Sequence, residues 1–334
     1  MTVDAPPQNR RYWLLTMPRT ASNMLVRVLN LDAQGVRPAY NGGYFFFPSM
    51  MVRLASSDKS WGEWTPEDDS SVREGIEKSL NSLQDHIEAA EEEGQKIFVK
   101  EHISFLNDVY YEREYTHGPL PGQKDFVPET AAARGFPQST RSPLNLTSLP
   151  DEFLKTWNPT FLIRHPALML PSLFRTAKKD PELYGKRRSK QEPYEVEATL
   201  KFVRALYAFY TDYFGKDSQW PILLDADDVI ASPELVKKYA GLVGLDPEKL
   251  RFSWEKASQE QLEKLRAAEK LMLGTINAST GVDKGKIAGD IDISAEAEKW
   301  RDEFGEEGGR KLERWVREAM PDYEYLRSRR LTLC

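Results

Sequence analysis

A chain of 334 residues with 52 acidic against 46 basic side chains carries a formal net charge of −6, which excludes the broad basic surface that nucleic acid or an anionic membrane demands of a partner. Its length suits one large α/β domain, residues 1–334, and its single cysteine, Cys334, excludes an intrachain disulfide or a cysteine-based zinc site. Residues 1–11 lack an apolar signal core and no run approaches membrane-spanning length, so a soluble cytoplasmic protein is expected.

The first element is Tyr12-Trp-Leu-Leu-Thr-Met-Pro-Arg-Thr-Ala-Ser-Asn-Met-Leu-Val-Arg27, an apolar strand that passes through a short polar turn into an apolar-periodic helix. Pro18 ends the strand, and residues 19–23 are placed to turn their backbone N–H groups toward an anion at the positive end of that helix. The Walker pattern is absent, which disfavours an ordinary ATPase or GTPase. Next, Asn41-Gly-Gly-Tyr-Phe-Phe-Phe-Pro48 reads as an aromatic loop. The stretch 66–94 is charged, with Val72, Ile76, Leu80, Leu83 and Ile87 on one helical face. Gln95-Lys-Ile-Phe-Val-Lys100 predicts a strand with Glu101 and His102 at its polar end, where parallel sheets gather their ligand chemistry.

Residues 107–147 carry several prolines and little periodicity, and read as a long irregular insertion. A short helix is predicted within 149–157, leading into Phe161-Leu-Ile-Arg-His-Pro-Ala-Leu-Met-Leu-Pro-Ser172, a strand ending at Arg164 with a serine eight residues on. A helix over 194–214 presents Val196, Leu200, Val203, Tyr207 and Tyr210 as a core stripe. A strand with an acidic end is predicted over 220–229, and Ser232-Pro-Glu-Leu opens a further helix with cap and first-turn proline in favoured places.

Taken in order, these segments resemble the motifs of the sulfotransferases that use 3′-phosphoadenosine-5′-phosphosulfate (PAPS). Pro18-Arg19-Thr20-Ala21-Ser22-Asn23 is similar to the family's 5′-phosphosulfate loop, Pro-Lys-Ser-Gly-Thr-Thr, and Arg164 with Ser172 matches its 3′-phosphate pair. Lys100-Glu101-His102 matches its Lys-x-His. Asp283-Lys-Gly-Lys-Ile-Ala-Gly-Asp290 resembles its Arg-Lys-Gly-x-x-Gly-Asp, with one extra residue and no leading arginine.

The resemblance implies a three-layer, P-loop-like, doubly wound parallel sheet and a PAPS-dependent sulfotransferase that releases PAP, needs no metal and acts on a hydroxyl or amine of a small-molecule acceptor. Arg19, Thr20, Ala21, Ser22, Asn23, Arg164, Ser172, Lys284, Gly285 and Lys286 would bind the nucleotide. His102 would be the general base, with Glu101 as its alternative and Lys100 and Arg19 as cations for the departing phosphate. His86, His117 and His165 are expected to be structural or solvated, and Tyr44-Phe-Phe-Phe47 to wall the acceptor pocket. Two departures stand out: Ala21 replaces the loop glycine, which would strain a left-handed backbone, and Met24 stands where many relatives carry an adenine-stacking Trp. A kinase-like phosphoryl transferase and a noncatalytic nucleotide- or partner-binding descendant of the fold remain open alternatives, and oligomeric state is not readable.

Overall fold

The computed structural model describes residues 11–122, 127–136, 139–179, 192–265 and 267–333. Residues 1–10, Cys334 and parts of the 107–147 stretch lie outside them. In chain order the elements are β1 (Arg11–Thr16), α1 (Ser22–Leu29), α2 (Phe47–Ala55), α3 (Pro66–Glu92), β2 (Ile97–His102), α4 (Ile103–Leu106), α5 (Val109–His117) and α6 (Asp151–Leu154). There follow β3 (Asn158–Ile163), α7 (Pro166–Lys179), α8 (Lys201–Phe214), β4 (Ile222–Asp225), α9 (Ala226–Ala231), α10 (Pro233–Leu242), α11 (Gln259–Glu263), α12 (Ala267–Asn277) and α13 (Ile293–Arg327).

Among the described residues the four strands form one all-parallel sheet, flanked by helices, in the order β2-β1-β3-β4. This is the expected α/β, P-loop-like architecture. The two inner strands explain themselves: Trp13, Leu14 and Leu15 of β1 and Phe161, Leu162 and Ile163 of β3 are all buried, as a strand covered by helices on both faces must be apolar throughout. From β1 the chain winds to β2 on one side and then to β3 on the other, so the switch point of the sheet falls at the carboxyl ends of β1 and β3.

The chain divides into two compact units. Of the described residues, those within 1–15, 35–161 and 205–222 form the first, and those within 16–34, 162–204 and 223–334 the second. In the first, Trp13 packs against Trp157 with ring centroids 4.6 Å apart. Buried Arg53 of α2 donates to Ser104 O at 2.6 Å, Phe105 O at 3.0 Å and the Glu112 carboxylate at 3.2 Å. That charge is tolerable inside because carbonyls and a carboxylate satisfy it. In the second unit α7 packs on α13, with Phe174 and Phe304 4.7 Å apart.

Several boundaries differ from expectation. Strand β2 continues through His102. The 107–147 insertion contains α5, opened by Asp108, whose side chain accepts from Tyr110 N; its apolar periodicity is too weak to announce it. The segment 194–200 is not helical from Tyr194: a 3-10 turn over Glu195–Glu197 precedes α8, which starts at Lys201. Strand β4 stops at Asp225 because that side chain caps α9 through Asp227 N. Residues 41–48 are a 3-10 turn, Tyr40–Gly43, followed by the start of α2.

Helix α13 is two arms. Gly305 has φ +80° and ψ 165°, a backbone that breaks the helix and that glycine alone adopts without penalty. Arg301 meets Glu313 at 3.1 Å and Arg317 reaches Ser294 Oγ at 3.0 Å, so the arms fold back on each other. Gly309 lies at the crossing, where an added Cβ would stand 2.5 Å from the Arg301 Cα and N. Gly309→Ala is therefore expected to destabilise the protein by about 1–3 kcal/mol, measured as a lower denaturation midpoint at unchanged slope.

Candidate donor site and the strand that carries the base

The 18–23 turn, which follows β1 in the chain, lies in the second unit. Arg19 and Ala21 both adopt left-handed φ, +68° and +65°, with buried Thr20 between them donating from Oγ1 to Met17 O at 2.8 Å. Successive residues of this kind turn their N–H groups into one concavity that suits an anion. Helix α1 starts directly behind it, with no side-chain cap from Ala21. The leading N–H groups of α1, from buried Ser22 and its neighbour Asn23 onward, add the positive end of the helix dipole. Ala21 thus occupies the conformation that the glycine departure brought into question.

Arg164, at the end of β3, brings the other predicted donor residues to this turn. Its guanidinium donates to Arg19 O at 3.1 Å and to Lys286 O at 3.1 Å. Arg19 in turn donates from Nε to Ser172 Oγ on α7 at 2.9 Å and from its terminal nitrogen to Met272 O at 3.2 Å. Lys284, Gly285 and Lys286 form one 3-10 turn, capped by Asp283, which accepts from Gly285 N at 3.0 Å. The one-residue slip in this segment is absorbed here, since Lys286 supplies a carbonyl to Arg164. Burial pushes the Arg164 pKa down from its ordinary value, and Arg19 adds to this while Asp227 and Asp225 oppose it.

Two acidic residues that the sequence left without a role belong to this cluster. Asp227 accepts from Ala288 N with both carboxylate oxygens, at 3.0 and 3.1 Å. Asp225 accepts from Tyr323 OH at 2.7 Å and from Asp227 N at 2.9 Å. Their signal in the sequence was the acidic strand end Asp225-Ala-Asp-Asp228.

The fit to a doubly phosphorylated nucleotide can be tested on Arg164 itself. Its buried Nε has no hydrogen-bond partner among the described residues, and its other bonds go to carbonyls rather than to an anion. Buried donors of this strength ordinarily find acceptors. A phosphate would supply one, so the residues present suit the group.

The candidate base lies in the first unit. Lys100 and His102 share one face of β2 and Glu101 takes the other. Glu101 is 0 % exposed and accepts from Phe46 N at 2.9 Å and His102 N at 3.2 Å. Burial pushes its pKa up to about 8, against the pull of those bonds. Its carboxyl group is thereby turned into the protein, anchoring the aromatic loop, while His102 takes the opposite face of the strand.

Gly43 lies so close over β2 that a Cβ would stand 2.8 Å from Lys100 O, with φ +99°. This close approach brings Tyr44 to His102 at 4.7 Å between ring centroids, and Phe105 follows at 5.0 Å. Of the aromatic run, Tyr44 and Phe47 are half-buried near this strand, whereas Phe45 and Phe46 are in the core. Lys100 Nζ sits 4.2 Å from the Tyr44 ring centroid. Burial pushes its pKa down to about 7, opposed by Glu101.

The remaining histidines are structural in their surroundings. His86 is buried against Phe45 at 5.2 Å, His117 Nε2 lies 3.0 Å from Ser57 O, and His165 Nδ1 accepts from Ala167 N at 3.1 Å. Among the described residues no group of three or more His, Cys, Asp or Glu is arranged to hold a metal, and no helix is long and apolar enough to cross a membrane.

The all-parallel α/β sheet flanked by helices, with left-handed residues in the turn after β1, is consistent with a P-loop-like fold. No family model matches the chain, and no solved structure matches it. Among curated proteins it is 39 % identical to sulfotransferase ppzF of Metarhizium rileyi, over 98 % of this chain and 97 % of that protein. It is also 39 % identical to sulfotransferase ppzF of Metarhizium majus, over 96 % of each chain. The chain belongs to the sulfotransferase family.

Because an alanine in the left-handed region carries a steric cost that glycine does not, Ala21→Gly is expected to raise the unfolding free energy by up to about 1 kcal/mol. Chemical denaturation checks this. A lowered midpoint would mean that residue 21 is unstrained.

Proposed function

We propose that this chain moves a sulfuryl group from PAPS to a hydroxyl, or an amine, of a small-molecule acceptor. The observation that carries the donor half is Arg164, which ties the 18–23 turn to the 284–286 turn and keeps a buried Nε without a described partner. When bound, PAPS supplies an activated sulfuryl group on a phosphate leaving group. Residues 19–23 would hold its 5′ end through backbone N–H groups, and Arg164, Ser172 and the Lys284–Lys286 turn its 3′-phosphate.

An acceptor hydroxyl attacks poorly while it keeps its proton. His102 Nδ1 or Nε2 takes that proton, since imidazole changes charge near neutral pH. Arg19 and Lys100 are the proposed cations for the leaving oxygen, where positive charge would favour the transition state over the ground state. Tyr44, Phe47 and Phe105 are the aromatic groups nearest this chemistry on β2 and suit a partly apolar acceptor. The missing Gly-Lys-Ser/Thr ending deprives a kinase of its phosphate lysine and its metal-binding hydroxyl, and nothing in the geometry favours that alternative.

Calorimetry with PAP, PAPS and ATP tests the donor. PAP should bind without Mg²⁺ and more tightly than ATP; preference for ATP with Mg²⁺ would replace this function with phosphoryl transfer, and no nucleotide binding would point to a noncatalytic descendant. Removing a charged phosphate donor by Arg164→Ala should weaken PAP about 10–100-fold. His102→Ala should leave PAP affinity near wild type and lower turnover about 10²–10⁴-fold; near-normal turnover would remove His102 as the base.

The lowered pKa of Lys100 sets a pH window. A lysine held to about 7 loses its charge as pH rises through that value, so turnover that needs the cation should fall on the alkaline side of neutrality. Lys100→Arg keeps its charge and should carry activity to higher pH. Identical pH–rate profiles for the two proteins would exclude Lys100 as the required cation.

A further inference from the structure

Asp227 is 8 % exposed at the start of α9, and its two carboxylate oxygens both accept from Ala288 N, the amide two residues beyond Lys286. The bond is side chain to backbone, so it fixes the path of the loop whatever side chains the loop carries. Lys286 O is the acceptor that Arg164 reaches from the same loop. One carboxylate thus tethers the segment from which Arg164 takes a partner.

The same carboxylate, with that of Asp225, brings opposite charge to the surroundings of Arg164. Its placement is itself held: Asp227 N donates to Asp225 Oδ1, and Asp225 Oδ2 accepts from Tyr323 OH.

We infer that Asp227 is a positioning residue of the donor site, its carboxylate serving as the backbone tether of the 284–288 loop from which Arg164 takes a carbonyl partner. The inference rests on the donor site proposed above. Substitution separates the tether from the charge. Asn keeps an acceptor oxygen for Ala288 N–H and removes the charge, while Ala removes both.

Asp227→Asn, which keeps the tether, should therefore bind PAP within about threefold of wild type, and should leave the affinity for AMP, which lacks the 3′-phosphate, unchanged. Asp227→Ala should bind PAP about tenfold or more weakly than Asp227→Asn. Hydrogen exchange provides a measurement that needs no nucleotide: the Ala288 amide should stay protected in Asp227→Asn and lose protection in Asp227→Ala. Equal PAP affinity for the two variants would overturn the positioning role. Unchanged Ala288 exchange in Asp227→Ala would overturn the tether. A wild-type protein that binds no PAP would instead refute the donor site, and the exchange result would still decide the tether.

Discussion

A half-buried guanidinium whose described partners are backbone carbonyls is the constraint on which the proposed donor site depends. Carbonyl oxygens offset only part of the cost of burying Arg164, and its Nε keeps a strong donor in reserve. Because it grips Arg19 and Lys286 through their main chains, it sets the spacing of two turns without consulting their side chains. That makes the departures from the usual family motifs intelligible. An arginine can stand at the loop's lysine position, and the Lys-Gly segment can slip by a residue, provided the two carbonyls still arrive at the guanidinium.

The division of the chain separates two kinds of work. The residues assigned to the nucleotide, from the 18–23 turn to the 284–286 turn, all fall in one compact unit, whereas β2 with Lys100 and His102 falls in the other. Within that other unit, Gly43 and Glu101 hold an aromatic loop against the strand by main-chain contact and by buried hydrogen bonds. The side chains of Tyr44 and Phe47 are then presented by a fixed backbone, so their identities can change without remaking the loop.

Much of the fold was legible because strands flanked by helices on both sides write their burial as unbroken apolar runs, as around Trp13 and Phe161, and because Ser232-Pro233 and Pro18 punctuate the chain with known geometry. The proposed donor residues were suggested for a related reason: a phosphate grip needs particular residue types at set distances from strand ends, and Arg19, Ser172, Arg164 and Lys286 do meet in the structure. What escaped was specified by contacts rather than by pattern. Helix α5 has little periodicity and depends on the Asp108 cap. The helix begun at Tyr194 was misplaced because a stripe continues through a 3-10 turn. Asp227 was invisible as a tether because its partner, Ala288 N, lies 61 residues away and a backbone amide leaves no mark on the sequence.

The fold-back of α13 at Gly305 has a consequence for where this chain can tolerate insertions. The second arm delivers Tyr323 to Asp225, and each residue of an α-helix advances the side-chain direction by about 100°. A single residue gained or lost between Gly309 and Tyr323 would swing the phenol off the carboxylate and aim a neighbour at it. The second arm is therefore intolerant of length change, and the tail after it is pinned as well, since Arg330 meets Asp228 and Leu331 N donates to Leu223 O.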